Sequence, residues 1–345
     1  MNGTTNSIIK KLFKEFQRLS TGINSPGGKW RLLFEVLMRM PQHDFYLELF
    51  YGSGIIGINK PRCRYEIFND KYYEIYNYFY VLKYHYSEFR KAIKGLYELV
   101  CEKMYEDIQN GIVIPRNRIE QAVIFRYMNK LTRAGLNQLI KKDFRGLFPP
   151  TNTKKNVIEK IKQEYITSNP NLFKGVRVNN TRPYTNNDNG LCTPIDFGVH
   201  ENLKYVTLTC QDFREVYQTF YQKYHVERGL TRECFMYWDP VYPGKEHPYF
   251  HKFTDEDHAA VIEILLDTPF HFELSIGGNC EFYLDAFKGP GFYIDSIYTK
   301  YSMNAKSQNK TQEYIIMNYD INKVPRMPLK SINPHQKQLS TFMEG

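Results

Sequence analysis

Tryptophan is scarce in this chain of 345 residues, with 2 against 28 tyrosines and 24 phenylalanines. Cysteine is thinly spread too. The 6 stand at Cys63, Cys101, Cys192, Cys210, Cys234 and Cys280, with no C-x-x-C pair among them. That spacing argues against a zinc ribbon and against the disulfide framework of a small secreted domain. Three of the six lie inside or beside predicted strands and read as small buried hydrophobes. No apolar run approaches a membrane span, and the N-terminus lacks the core of a signal peptide. The expected location is the cytoplasm. Acid is the minority charge: 46 Lys and Arg face 37 Asp and Glu, a net charge of +9. A polyanionic partner suits that balance without being established by it. Internal repeats are absent as well.

Seven segments read as strands: FYLELF (45–50), RYEIF (64–68), KYVTLTC (204–210), CFMYW (234–238), HFELSI (271–276), FYIDSIYTKYSM (292–303) and EYIIMNY (313–319). Helical periodicity precedes the first in WRLLFEVLMRM. It follows the second in YYEIYNYFYVL, the third in FREVYQTFYQKY and the fourth in DEDHAAVIEILL. Strand and helix in alternation imply crossover units and a parallel sheet. The last two strands flank only the polar NAKSQNKTQ and so form an antiparallel hairpin. A parallel α/β sheet finished by such a hairpin is the outline of the Rossmann-like methyltransferase fold.

Residues 84–203 break the alternation. Segments 87–108 and 116–142 read as helices, with a shorter one near 154–166 and the turn-rich NNTRPYTNNDNG at 179–190. We read 87–200 as an insertion, either a nucleic-acid-reading module or a helical embellishment. The catalytic body then comprises 1–86 and 201–325, with 326–345 as a tail. IIKKLFKEFQRL (8–19) has the pattern of a basic amphipathic helix. His247, His251 and His258 crowd one short stretch, but TDEDH reads as a helix start and no metal is expected.

FYGSGIIG (50–57) carries Gly52, Gly54 and Gly57 in a G-x-G-x-x-G turn after the first strand. Glycines there let the backbone approach a ligand closely. Asp70, at the tip of the second strand, suits the ribose hydroxyls of a nicotinamide cofactor or of S-adenosylmethionine, and the turn does not separate the two.

FMYWDPVYPG (235–244) does separate them. An exocyclic amine on a base is a poor nucleophile because its lone pair is delocalised into the ring. Two acceptors pulling on its N–H bonds favour a tetrahedral nitrogen whose lone pair faces an electrophile. The Asp239 carboxylate supplies one acceptor, and the carbonyl of Pro240, held by proline geometry, supplies the other. The Tyr242 ring grips a base taken out of its stack. Hydride transfer has no comparable use for this cluster. In isolation the four residues also fit a strand-ending turn with a capping Asp.

Taken together, the motifs resemble those of the Dam-like (alpha-group) adenine-specific DNA methyltransferases. G-G-K is matched by Gly27-Gly28-Lys29, E-P-F-x-G-x-G by ELFYGSG from Glu48, N-D by Asn69-Asp70, D-F by Asp212-Phe213 and D-P-P-Y by Asp239 to Tyr242. YFHKFTDEDHAAVIEILL is similar to the family's Y-x-x-x-F-x-x-x-D-H-x-x-L helix, and QEYIIMNY to its closing E-x-L-I-x-N-Y. The second proline of the catalytic motif is Val241 here; both acceptors survive, with some backbone rigidity lost. The resemblance implies S-adenosylmethionine as cofactor, contacted by Lys29, Phe50, Gly52, Gly54, Asp70, Asp212 and Phe213. It implies catalysis by Asp239, Pro240 and Tyr242 on adenine in double-stranded DNA, without a metal or a membrane. It also implies a possible cognate restriction endonuclease and a monomer or weak dimer. A weak or inactive DNA-binding relative and an RNA adenine methyltransferase are the alternatives.

Overall fold

The run Cys234–Trp238 is apolar without interruption, the pattern of a strand covered on both faces. In the computed structural model it is buried at every position. The structure describes residues 18–24, 28–97, 107–131, 197–244, 253–300 and 310–327. The predicted helix at 154–166, the 179–190 stretch, His247, His251, Cys101, Cys192 and nearly all of the predicted N-terminal helix lie outside those residues.

The strands are β1 (Phe45–Glu48), β2 (Tyr65–Asn69), β3 (Val206–Thr209), β4 (Cys234–Trp238), β5 (His271–Gly277), β6 (Tyr293–Lys300) and β7 (Lys310–Met317). They form a seven-stranded sheet in the order β3-β2-β1-β4-β5-β7-β6. The first five are mutually parallel, and β7 runs antiparallel to both β5 and β6. The mixed α/β sheet with a closing hairpin is thus the expected one. Linear order did not show that β7 would take the inner place beside β5.

The helices of this part are α1 (Leu33–Leu37), α2 (Ile55–Asn59), α7 (Phe213–Tyr221), α8 (Asp255–Asp267) and α9 (Glu281–Ala286). Two of them, α2 and α9, are short and lie outside any longer periodic run. A π-helical turn, Gln222–Val226, prolongs α7. Side chains alternate along each strand. Leu47, Met236, Trp238, Phe272 and Leu274 therefore share one face with Phe220, Leu265 and Tyr283 of α7 to α9 in a single buried cluster. On the other face Gly57 of α2 comes so close to Glu48 and Phe68 that a Cβ there would stand 2.5 Å from Glu48 Oε2. Burying each large apolar side chain in this way contributes about 1.5–3 kcal/mol.

The chain divides into two compact units. The sheet belongs to Met1–Thr21, Gly28–Lys71 and Tyr205–Gly345; the second unit is Gly22–Gly27 with Tyr72–Lys204. Its described helices are α3 (Tyr73–Tyr84), α4 (Tyr86–Tyr97), α5 (Arg118–Leu131) and α6 (Phe197–Leu203). The tyrosine-dense segment 72–86 thus falls in this unit. Tyr78 packs edge-on to Phe89, with ring centroids 5.7 Å apart, and lies against Phe125. Asn77 Nδ2 donates to the Arg118 carbonyl at 2.9 Å. Asn24 and Asn129 exchange two hydrogen bonds, and the buried Arg126 donates to the Gly22 carbonyl. These bonds tie the 22–24 strand of chain to α5.

Candidate active site

Strand order reverses between β1 and β4: β2 and β3 lie to one side, β5 and the hairpin to the other. Loops leaving adjacent strand tips at such a reversal diverge and leave a crevice, the usual ligand site of an open parallel sheet. The loop after β1 is the glycine turn, and the loop after β4 begins with Asp239.

In the glycine turn Gly52 and Gly54 have φ of 50° and 70°. Both angles fall in the left-handed region that side chains with a Cβ resist. Asp70 Oδ2 accepts the Gly52 N–H at 2.8 Å, so the acid at the tip of β2 also shapes the turn. Its neighbour Asn69 is a clip. Asn69 Nδ2 donates to the carbonyls of Leu49 and Gln211, both at 3.1 Å. Its Oδ1 accepts from Thr209 Oγ1 at 2.9 Å and Gln211 N at 3.1 Å. The ends of β1, β2 and β3 are thereby held together through one amide.

Asp212 caps α7, accepting the Arg214 N–H at 3.1 Å, and receives Lys71 Nζ at 2.9 Å. Burial alone would raise its pKa, but the hydrogen bonds from Lys71 and Arg214 outweigh it and hold the carboxyl below its ordinary value. Arg214 continues to Asp257 of α8 at 2.6 Å, which binds the starts of the two helices together. Beside them, Phe50 and Phe213 lie 5.3 Å apart, and Phe253 lies 5.8 Å from Phe50 and 6.1 Å from Phe213. Trp238 closes the group 5.9 Å from Phe50. Its indole Nε1 is buried with no acceptor among the described residues. Phe253 immediately precedes the Thr254–Asp257 capping box of α8, so its position is set by a well-anchored helix start.

At the β4 tip, Lys29 Nζ meets Asp239 Oδ1 at 2.6 Å. The same ammonium stands 4.7 Å from the centre of the Tyr242 ring. Lys29 is buried, while the Asp239 side chain keeps 22% of its surface exposed. Withdrawal from water raises the Asp239 pKa from 3.8 to about 6; Lys29 opposes the rise and Glu313 adds to it. Pro240, next in the chain, is buried. Tyr242 donates its hydroxyl to Glu313 Oε2 at 2.8 Å, and its ring lies on the bare backbone of Gly277. Beneath the loop, the buried Glu48 accepts from Tyr46 at 2.9 Å, and burial pushes its pKa well up.

The residues singled out from the sequence thus fall into three contact groups: Lys29 with Asp239 and Tyr242, Gly52 with Asp70, and Phe50 with Phe213. Asp212 stands apart from them in the Lys71 and Arg214 network. Sequence reasoning missed Phe253, Trp238 and Glu313 as members of the site. Each had a faint signal: Phe253 is the phenylalanine of the Y-x-x-x-F match, Trp238 ends the strand before the acid, and Glu313 opens the E-x-L-I-x-N-Y match. His258 is a core residue of α8, its Nδ1 2.9 Å from the Tyr283 hydroxyl. Among the described residues no cluster of His, Cys, Asp and Glu is arranged to hold a metal, and no helix is long and apolar enough to cross a membrane.

A sequence model of the D12 class N6 adenine-specific DNA methyltransferases matches residues 25–303. The chain is also similar to the DNA adenine methylase of Escherichia coli (strain K12), 28% identical over 126 residues, or 35% of this chain and 43% of that protein. With the DNA adenine methylases of Salmonella typhi and Salmonella typhimurium it is 27% identical over 126 residues, at the same coverage. The matched stretch spans less than half the length of these curated relatives.

Proposed function

Because the chain belongs to the D12 class N6 adenine-specific DNA methyltransferase family, we propose that it methylates the exocyclic amino group of adenine in double-stranded DNA. The observation that carries this reading is the convergence of Lys29, Asp239 and Tyr242 at the tip of β4, next to the glycine turn of β1. S-adenosylmethionine, when bound, supplies a methyl group made electrophilic by its sulfonium. The residues present fit that group. Two left-handed glycines open the backbone after β1, Asp70 stands at the adjoining tip for ribose hydroxyls, and Phe50 and Phe253, packed on the buried Phe213 and Trp238, make an apolar aromatic wall with an unclaimed indole N–H behind it. In this reading Asp212 acts by fixing the start of α7, and Phe213 by backing the wall.

The chain's own part in transfer follows from its polar groups. Asp239 and the Pro240 carbonyl accept the two N–H bonds of the amine, turning its lone pair out of the ring system. Lys29 keeps Asp239 ionised against its burial, and a carboxyl titrating near 6 is poised to take the proton the amine sheds once the new bond forms. Tyr242 grips the extruded base by its face. Val241 leaves both acceptors in place. Sequence choice is assigned to the 87–200 insertion, and pairing with a restriction endonuclease and a monomeric or weakly dimeric state rest on the family resemblance.

Incubation with tritiated S-adenosylmethionine and mixed-sequence DNA, followed by mapping of methyladenine, tests the proposal. The wild type should label DNA, and Asp239→Ala should abolish label while still binding the cofactor. Cofactor binding and label both absent would favour a non-catalytic DNA-binding relative. Label on RNA alone would replace the substrate.

A further inference from the structure

Glu313 stands on the inner hairpin strand β7, directly opposite Gly277 of β5 in the antiparallel register. It is 1% exposed. Its Oε2 accepts the Tyr242 hydroxyl at 2.8 Å. The ring of Tyr242 rests where Gly277 has no side chain: a Cβ there would come 2.8 Å from ring Cε2 and 3.3 Å from Glu313 Cγ. The ring is therefore held at its edge by a carboxylate and backed by bare backbone, on strands that belong to the rigid sheet. An aromatic side chain on the loop after β4 would otherwise be free to turn about χ1, and a ring that must present its face to a base loses its value when it turns.

We propose that Glu313 is a positioning residue that fixes the Tyr242 ring in its base-gripping orientation, so that the closing hairpin, and not the catalytic loop alone, sets the geometry of base capture. The inference rests on the methyltransferase reading and extends it to a residue to which that reading assigns no role. The inner hairpin place of β7 beside β5 is what brings this side chain within reach of the loop after β4. Glu313 has a second, separable effect. Its charge faces Asp239, together with Lys29 from the segment before α1 and with Glu48 and Tyr237 from β1 and β4, and it helps to hold the Asp239 pKa up.

The test is a double-mutant cycle on full-length protein with Glu313→Ala, Tyr242→Phe and the pair, plus Glu313→Gln as the conservative variant. Each single change should lower kcat/KM for DNA roughly tenfold, the scale of one hydrogen bond to a charged group. Cofactor affinity, measured by calorimetry without DNA, should be unchanged. The double variant should be no worse than either single one, and Glu313→Gln should recover most of the loss because its amide oxygen still accepts the hydroxyl. Glu313→Gln should also move the acid limb of the pH–rate profile to lower pH, which Tyr242→Phe should not do. A merely structural role would not move that limb. Should Glu313→Ala fail to fold, the Glu313→Gln profile and Tyr242→Phe decide alone. Losses that multiply independently would overturn the positioning role of Glu313 in an active enzyme, and an acid limb that stays in place would overturn its effect on Asp239. A wild type inactive on DNA would instead overturn the methyltransferase reading, and this role with it.

Discussion

Two lysines are buried against carboxylates at opposite ends of the same sheet. Lys60 meets Glu66 at 2.5 Å near the start of β2, and Lys29 meets Asp239 at 2.6 Å just past the end of β4. The chemistry is the same and the surroundings are not. Glu66 also takes the Cys63 N–H at 3.1 Å and pairs with Arg62, and neither its side chain nor that of Lys60 is exposed at all. Lys60 spends a further donor on the Pro61 carbonyl at 3.0 Å and lies over the Tyr46 ring. That pair is closed. Asp239 keeps part of its surface open, and its pKa stands near 6. A fully buried ion pair holds a fold, whereas a partly exposed one keeps a carboxylate within reach of a ligand.

The comparison breaks most visibly on deletion of either lysine. Lys60→Ala leaves Glu66 in the interior without its main partner and should cost about 3–5 kcal/mol of stability in urea unfolding. Lys29→Ala should cost clearly less, because Asp239 can rehydrate, while its effect on methyl transfer should be severe. Equal losses of stability would erase the distinction between the two ends. Acid sharpens the contrast next. In its proposed role Asp239 must be ionised to accept from the amine, so kcat should fall about tenfold per pH unit below a pH near 6. A rate that is flat down to pH 5 would remove Asp239 from that role.

Phe253→Ala opens the aromatic wall without touching either ion pair. It should raise the dissociation constant of S-adenosylmethionine about tenfold, in line with the loss of one aromatic contact. The smallest effect concerns pH and stability. The folded-state pKa of Asp239 is raised, from 3.8 to about 6, so its contribution to stability is full below the unfolded value and is lost as pH rises through the folded one. From this group alone the protein should gain about 1 kcal/mol between pH 7 and pH 5. That increment should vanish in Asp239→Ala.

Much of the architecture could be read along the chain because periodicity is a local property. CFMYW is apolar at every position and became a strand covered on both faces, while the polar NAKSQNKTQ flanked by two strands announced a hairpin. The short helices α2 and α9 escaped notice, since neither lies within a longer periodic run such as the one that contains α1. Motif order marked Lys29, Asp70, Asp239 and Tyr242. The motif matches ran through Phe253 and Glu313 without giving either a place in the site, because their contacts there span stretches of chain that no spacing rule relates.

By itself the sequence determined that a parallel sheet with a closing hairpin would form, and which acid and which ring would leave the tip of its fourth strand, because alternation, proline and glycine act over a few neighbouring residues. Tertiary structure alone decided that Lys29 would neutralise Asp239, that β7 would take the inner place in the hairpin, and that Glu313 would reach Tyr242. Those outcomes depend on which strands lie side by side, and that is settled by packing the whole sheet at once.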